Sequence, residues 1–438
     1  MHITLHKKLN KMKKKALLIL SLFTLVFFSC DDSDDLPIGQ NEYLIATPLT
    51  TDLVTFKEEA VDVTDPIEIV ESGKIYAYKD YIFINDVGKG VHVLDNSNPE
   101  APEKKVFIKL EGNHDISIKN DRLYGDSYGD LVIMDISDIE NIGDVKRMEN
   151  AIYQEFWCTV GFDVEWPQAD AYDYTGLDAS REAIVGWETK KVRMSESEFN
   201  EKYGFTFLED GALANSDAQT SDSGQGGSLA RFRIVGDYLY AVEWASINVF
   251  DISNLDAPEI LEEVYVNGSV ETIFNQGDLL FLGGTQGMYI YDITSPGAPK
   301  FVSEFRHGTA CDPVVVDENY AYVTLRGGNF CGATESGLYI IDITKIETPE
   351  LKVIYPMDEP YGLGIKDDKL FICDGSSGLK VYDKSEVPDL EQLNHLRGVV
   401  TYDVIPLENQ LLMVGDGVLY QYEYLENDIR LISTLSLN

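Results

Sequence analysis

From about residue 74 onward, apolar and polar positions alternate in short runs rich in Val, Ile, Tyr and Phe, each closed by Gly, Asn, Asp or Pro. That period of two is the signature of strands buried against neighbours, not of helices. One phrase recurs: GVHVLDNSNPEAP from Gly90, DLVIMDISDIENI from Asp130, SINVFDISNLDAP from Ser246, GMYIYDITSPGAP from Gly287, GLYIIDITKIETP from Gly337 and GLKVYDKSEVPDL from Gly378. The aspartates that follow the apolar runs, Asp95, Asp135, Asp251, Asp292, Asp342 and Asp383, are separated by 40, 116, 41, 50 and 41 residues. VLYQYE, ending at Glu423, continues the series with Glu in place of Asp, so a unit of about 40 residues occurs seven times.

The fifth unit reads as four strands, PVVVD from Pro313, NYAYVTL from Asn319, GLYIIDI from Gly337 and ELKVIYP from Glu350. Its first turn, Asp317-Glu318-Asn319, has counterparts in Lys119-Asn120-Asp121, Val235-Gly236-Asp237, Gln276-Gly277-Asp278 and Lys366-Asp367-Asp368, residue types that tight hairpins require. Seven four-stranded sheets with apolar residues on both faces must bury those faces on one another. The pattern therefore predicts an all-β chain, a seven-bladed β-propeller of four-stranded blades with one long insertion between blades two and three. The blades are expected at about 74–111, 112–155, 229–267, 269–307, 311–357, 360–398 and 400–438, within a propeller region of 43–438. The insertion, 156–228, is expected on the top face, with REAIVGWETKKVRM as an extra hairpin and 215–228, rich in Ser, Gly, Asp and Gln, as a flexible loop. A shorter departure, RGGNFCGATESG from Arg326, falls on the same face. In the repeated phrase the Asp is expected to accept the backbone N–H groups of the turn that follows it.

Those third-strand phrases resemble the LVIVD repeat of bacterial surface propellers, over residues 74–437 apart from the insertion. The resemblance implies the fold and carries no established chemistry.

The N-terminus has a different pattern. MKKKALLILSLFTLVFFSC from Met12 is a charged start, an apolar run and a small residue before cysteine, a signal segment over residues 1–29. Its apolar stretch, 16–28, is shorter than the roughly 20 residues a membrane-spanning helix needs. Ser29-Cys30 resembles the lipobox of bacterial lipoproteins, which implies acylation of Cys30, palmitate among the acyl groups, and a lipid anchor in the outer membrane. The acidic run 31–35, within a tether of 30–42, is similar to the tag that sends some such lipoproteins to the outer face. The whole chain carries a formal charge of −40, and removal of the six lysines of the signal segment makes it −46. That field repels nucleic acid, which is excluded as a partner. Five cysteines are too few for a disulfide framework, but Cys311 and Cys331 fall on one face of one blade and are the candidate disulfide; Cys158 and Cys373 are read as free.

Alignment of the inner strands brings His114, Asp115, Arg231, Glu271, Asp312, Tyr361 and Asp403 to the mouth of the central channel, as candidate ligand-binding residues. Converging carboxylates and imidazole suit a polar ligand or a divalent cation, although no metal-ligand spacing supports a bound metal and no cofactor is called for. DAYDYTGLD, 170–178, lacks the alternation of a calcium loop and is read as solvated. HExxH, GxSxG, CxxC and phosphate-binding glycine motifs are absent. The sequence thus favours a non-catalytic recognition or scaffold lipoprotein whose top face meets an extracellular glycan, peptide or protein. The alternative is a glycan-active hydrolase or lyase using Glu271, Asp312 and Asp403 as acid and base, with His114 in support. Insertion aromatics, Trp157, Trp166, Tyr172 and Tyr174, could stack on sugars or anchor the insertion, and anchoring is the expected role.

Overall fold

The computed structural model describes residues 40–143, 145–152, 158–204, 225–308, 313–327 and 336–437. Within these the chain divides into two compact units: a larger one of residues 48–166, 175–187 and 209–438, and a smaller one of residues up to 47, 167–174 and 188–208.

The larger unit is the seven-bladed propeller. Blade five is the pattern in its simplest form, with strands Val314–Asp317, Tyr320–Leu325, Gly337–Asp342 and Glu350–Pro356 in antiparallel order from the inside outward. Why its third strand is apolar throughout is plain from the packing. Leu338 and Ile340 belong to the core shared with blade six, and Ile341 to the core shared with blade four. A strand that faces a neighbouring blade on each side has no solvent side, so alternation of polar and apolar positions disappears. The hairpin turns fall where the sequence puts them: Asn120, Asp121, Gly236, Gly277 and Asp367 all have positive φ.

The repeated aspartates all do the same work. Ser97, Ser137, Ser253, Thr294, Thr344 and Ser385 each donate a backbone N–H to the aspartate two residues earlier, over 2.7–3.0 Å. These bonds, with the hydroxyl of the same Ser or Thr, hold all six carboxyls below their usual range, Asp342 at about 2. The turn that each aspartate shapes is also a socket. The Tyr124 hydroxyl donates to Leu255 O, Tyr240 to Pro296 O and Tyr355 to Pro388 O, each reaching the turn of the next blade.

The ring is closed by packing, not by a blade shared between the chain ends. Ile75, Ile82 and Ile84 of blade one meet Ile405, Leu412 and Val414 of blade seven in one cluster. Polar ties reinforce it: Ile69 N to Leu437 O at 3.2 Å, Gln421 Nε2 to Asn96 Oδ1 at 2.7 Å and Ser433 Oγ to Pro99 O at 2.6 Å.

Three features depart from the predicted plan. Blade one has six strands, because Gln225–Gly226 adds to its inner edge and Val61–Thr64 to its outer edge. Blade three has a broken outer strand, with Glu259–Ile260 and Val264–Tyr265 separated by Leu261, Glu262 and Glu263. Among the described residues two short helices occur, at places for which the sequence pattern predicted no element. Helix α1, Leu53–Glu59, is capped by Asp52, whose carboxylate accepts the Thr55 N–H. Helix α2, Glu196–Tyr203, lies in the smaller unit and begins with a capping box between Ser195 and Glu198.

The predicted hairpin in the insertion is instead one strand, Glu182–Met194, which contributes to both units, as does Asn41–Asp52. The reason is that no pair of turn formers interrupts it, so the chain has nothing to reverse on. In the smaller unit Ile45, Ala171 and Tyr203 form the core, with Tyr43 stacked on Phe199 at 4.0 Å. Among the described residues no helix is long and apolar enough to cross a membrane.

Candidate functional site

Two acids of the predicted ring, Asp115 and Asp403, are engaged by backbone N–H groups of neighbouring blades. Asp115, at the head of blade two's inner strand, accepts N–H groups from Ile116, Arg231 and Phe232 at 2.8–2.9 Å. Lys74 of blade one lies 3.3 Å from it and also donates to His114 O at 2.7 Å. Asp115 therefore joins blades one, two and three. Burial pushes its carboxyl up to about 6, against the pull of Lys74 and the backbone donors. Arg231 forms an ion pair with Glu243. His114 Nδ1 is 2.8 Å from Asp126 Oδ2, and Asp126 also accepts the N–H groups of His114 and Asp115. Burial works against the charge of Asp126, yet His114 and those N–H groups hold its carboxyl below the usual range. Glu271 is buried, and Tyr361 carries the Arg326 guanidinium over its ring at 4.0 Å and lies 5.1 Å from the Tyr402 ring. Asp312, Cys311 and Cys331, like the acylation candidate Cys30, lie outside the described residues.

The channel itself holds a segment of the insertion. Residues 225–228, anticipated as the end of a flexible loop, run along the inner edge of blade one, with Gln225 opposite Ala77 and Gly226 opposite Tyr76. Gln225 Nε2 donates to Pro406 O of blade seven at 2.8 Å, and Ser228 Oγ accepts the Leu363 N–H of blade six at 2.8 Å. Between them Gly227 lies so near Asp403 that a Cβ on it would fall 1.8 Å from Oδ1. Asp403 is fully buried and accepts N–H groups from Val404 at 2.9 Å and Ile75 at 3.3 Å. One tetrapeptide thus touches blades one, six and seven before the chain enters blade three. The composition that reads as a linker is what threading requires: two glycines and a serine have the bulk to pass.

A second set of acids was missed by sequence reading. Asp86 accepts the N–H groups of Val70 and Glu71, and Asp374 those of Asp358 and Glu359, both repeating what Asp126 does in blade two. Each is buried at the end of a second strand and ties down the loop that enters its own inner strand. Asp86 faces His92 at 3.4 Å and Asp374 faces Lys380 at 2.5 Å. A signal existed: Asp86, Asp126 and Asp374 each stand four residues before the start of the repeated phrase, Gly90, Asp130 and Gly378.

Away from the channel, the non-repeat segments build a cleft of about 1390 Å³ beside the outer strand of blade two, Val145–Met148. Its walls include Leu53, Val54 and Lys57 of α1, Arg147 and Asn150 of the blade, and Asp178, Arg181 and Glu182 of the insertion. Asp130 fastens α1 in place. It is fully buried, with Lys57 at 2.9 Å, Arg147 at 2.8 Å and the Asn150 N–H at 2.7 Å, while Arg147 Nη2 donates to Lys57 O. Trp166 packs on Trp187 at 4.7 Å and Tyr172 donates to Pro167 O, contacts made within the insertion itself; Trp157 lies outside the described residues. The acids of 170–178 are engaged locally, with Asp170 accepting the Leu44 N–H, Asp173 meeting Lys202 and the Tyr203 hydroxyl, and Asp178 accepting from Ser180. Among the described residues no group of three or more His, Cys, Asp or Glu is arranged to hold a metal ion.

Comparison with known proteins supports the repeat. The pattern described as the LVIVD repeat matches residues 71–106, 226–265 and 307–356, within blades one, three and five. No curated protein matches the chain. Among solved structures it is similar to the computationally designed Ika8 protein, at 12% identity and a TM-score of 0.44, covering 84% of this chain and 89% of that one. It is also similar to a protein from Lactobacillus plantarum, at 10% identity and a TM-score of 0.49, covering 83% and 99%.

Proposed function

We propose that this chain is a non-catalytic recognition module, exported, tethered through a lipid on Cys30 to the outer membrane, and directed at an extracellular glycan, peptide or protein. The observation that carries this reading is where the departures from the repeat meet. Helix α1, the outer strand of blade two and the insertion wall a cleft of about 1390 Å³, larger than the ~300–1,000 Å³ typical of small-molecule pockets. An open cleft of that size, lined by Lys57, Arg147, Arg181, Asp178 and Glu182, suits a length of polymer chain better than a single small substrate. Paired acid-base chemistry at the channel has less support, because Asp403 is fully buried, bonded to backbone N–H groups and covered by Gly227.

The experiment is a glycan and peptide array with the soluble chain from Asp31, repeated with Arg181→Glu and Val54→Asp, two cleft positions on the protein surface. Retention of a ligand by the parent chain and its loss in either variant is the expected result. Turnover of any array glycan, or binding indifferent to both substitutions, would overturn the assignment to the cleft. Protease accessibility of Cys30-acylated chain on intact cells checks the surface location separately.

A further inference from the structure

We infer that the edge of blade three is a second contact surface, a stacking platform for neutral sugar rings built on Trp244 and Tyr265. Trp244 is the first residue of the turn between the blade's second and third strands, and its φ is +49°. The left-handed region is costly for a bulky side chain and is usually left to Gly, Asn or Asp. Blade seven obeys that preference at the same place, where Asp416 has φ +49°.

Blade two supplies the informative comparison. Tyr128 occupies the equivalent turn with φ +49° but is only 5% exposed, packed on Phe56 of α1 at 4.8 Å, its hydroxyl accepting the Phe162 N–H of the insertion. In that blade the strained aromatic is a post on which another segment docks. Trp244 is the same post, 74% exposed. Among the described residues no hydrogen bond or ring contact engages its indole, so the strain is retained for something outside the propeller.

Tyr265 stands on the same edge of the blade, opposite a residue two positions beyond Trp244. Its strand pairs with Ser246, the Val266 N–H donates to Ala245 O, and Tyr265 is 77% exposed. It stands on the half-strand that follows the break in the outer edge, so blade three departs from the repeat at the same place twice.

The surroundings select the occupant. Tyr265 is flanked along the edge by exposed Asn267, Glu262 and Glu263, polar groups that interrupt the apolar surface between it and exposed Ile260. A stable protein partner would need about 800 Å² on each side with an apolar centre. Anionic ligands meet a chain of charge −40. A cation-binding cage encloses its ligand between rings, whereas these two are open to solvent. What remains is a flat ligand with an apolar face and hydroxyl edges. A neutral pyranose stacks on the indole and offers its hydroxyls to the Asn267 amide and the nearby carboxylates.

The test uses Trp244→Asn and Tyr265→Ala in the full soluble chain, probed with an array of neutral hexo-oligosaccharides and by tryptophan fluorescence. We expect the parent to bind at least one such glycan with quenching, and both variants to lose at least tenfold in affinity. Trp244→Asn, which suits the left-handed turn, is expected to leave Tm unchanged or raise it. A fall in Tm would make the indole a structural part and overturn the inference. So would binding unaffected by either substitution, binding of cationic peptides only, or no neutral glycan bound. Retained binding in Arg181→Glu separates this platform from the cleft beside blade two.

Discussion

Replacing Gly227 with alanine tests whether the insertion locks the propeller ring from inside. A methyl at this position would stand 1.8 Å from Asp403 Oδ1 and 2.4 Å from its Cγ. Asp403 has no room to yield, being fully buried and bonded to the N–H groups of Val404 and Ile75. The segment must move instead, and with it go the Gln225 bond to Pro406 O and the Ser228 acceptor of the Leu363 N–H. Overpacking costs about 1–3 kcal/mol, and a buried N–H left without an acceptor costs about 1–3 kcal/mol more. A loss of about 2–6 kcal/mol is therefore expected. Gly236→Ala is the control, since its φ of +58° strains alanine but no atom lies within 4 Å of the added carbon. It should cost about 1–2 kcal/mol, the penalty of the left-handed conformation alone. Urea unfolding followed by circular dichroism measures both. If Gly227→Ala is no more destabilising than Gly236→Ala, residues 225–228 do not clamp the ring.

Three further outcomes follow from the same geometry. Because the six repeat aspartates are held below their usual range, with Asp342 at about 2, the stability they contribute is complete above about pH 4 and is lost as pH falls through the lowered values. Asp342→Ala should therefore lower stability at neutral pH and make the decline between about pH 4 and 2 shallower; an unchanged acid limb would contradict this. Asp130→Ala leaves Lys57 and Arg147 without their buried partner and should cost about 3–5 kcal/mol, with early proteolytic cleavage near α1. Tyr240→Phe removes the hydroxyl that reaches Pro296 O across the blade interface and should cost about 0.5–1.5 kcal/mol in urea unfolding, with the fold unchanged.

The repeat was readable because burial on two sides leaves a strong mark. Leu338, Ile340 and Ile341 cannot be polar, since each faces a neighbouring blade, and so the period survives wherever a blade does. Alignment of those strands named Asp115 and Arg231, which the structure joins through the Arg231 N–H, and Asp403, which accepts the Ile75 N–H of blade one. It could not reveal what fills the space between them, because residues 225–228 come from outside the repeat and Gln-Gly-Gly-Ser has the composition of a linker as well as of a threaded strand. The buried acids Asp86, Asp126 and Asp374 were written in the sequence at a constant distance before the repeated phrase, but the more conspicuous aspartate within that phrase drew the reading. Helix α2 announced itself through Ser195 and Glu198; in a chain composed mainly of strands, a single capping box before a helix of eight residues is a weak signal.

A ring of like repeats gives each blade nearly the same surroundings, whereas a binding site needs one place unlike the rest. Within the described residues the unlike places are consecutive. Blade one is extended on both edges, blade two carries α1 and the cleft, and blade three has the broken edge with Trp244 and Tyr265. All three flank the point where the insertion leaves blade two and returns through the channel to blade three. The buried acids point the same way. Asp115 holds the returning chain where it enters blade three, and Asp130 holds α1 against blade two, so two buried charges of this region position the chain where non-repeat segments join the blades. Burying those carboxylates costs stability unless each is fully bonded, and the fold accepts that cost where the repeat is interrupted. The outer surfaces of blades one to three are accordingly where recognition should be sought, while the channel at their centre serves to keep them in place.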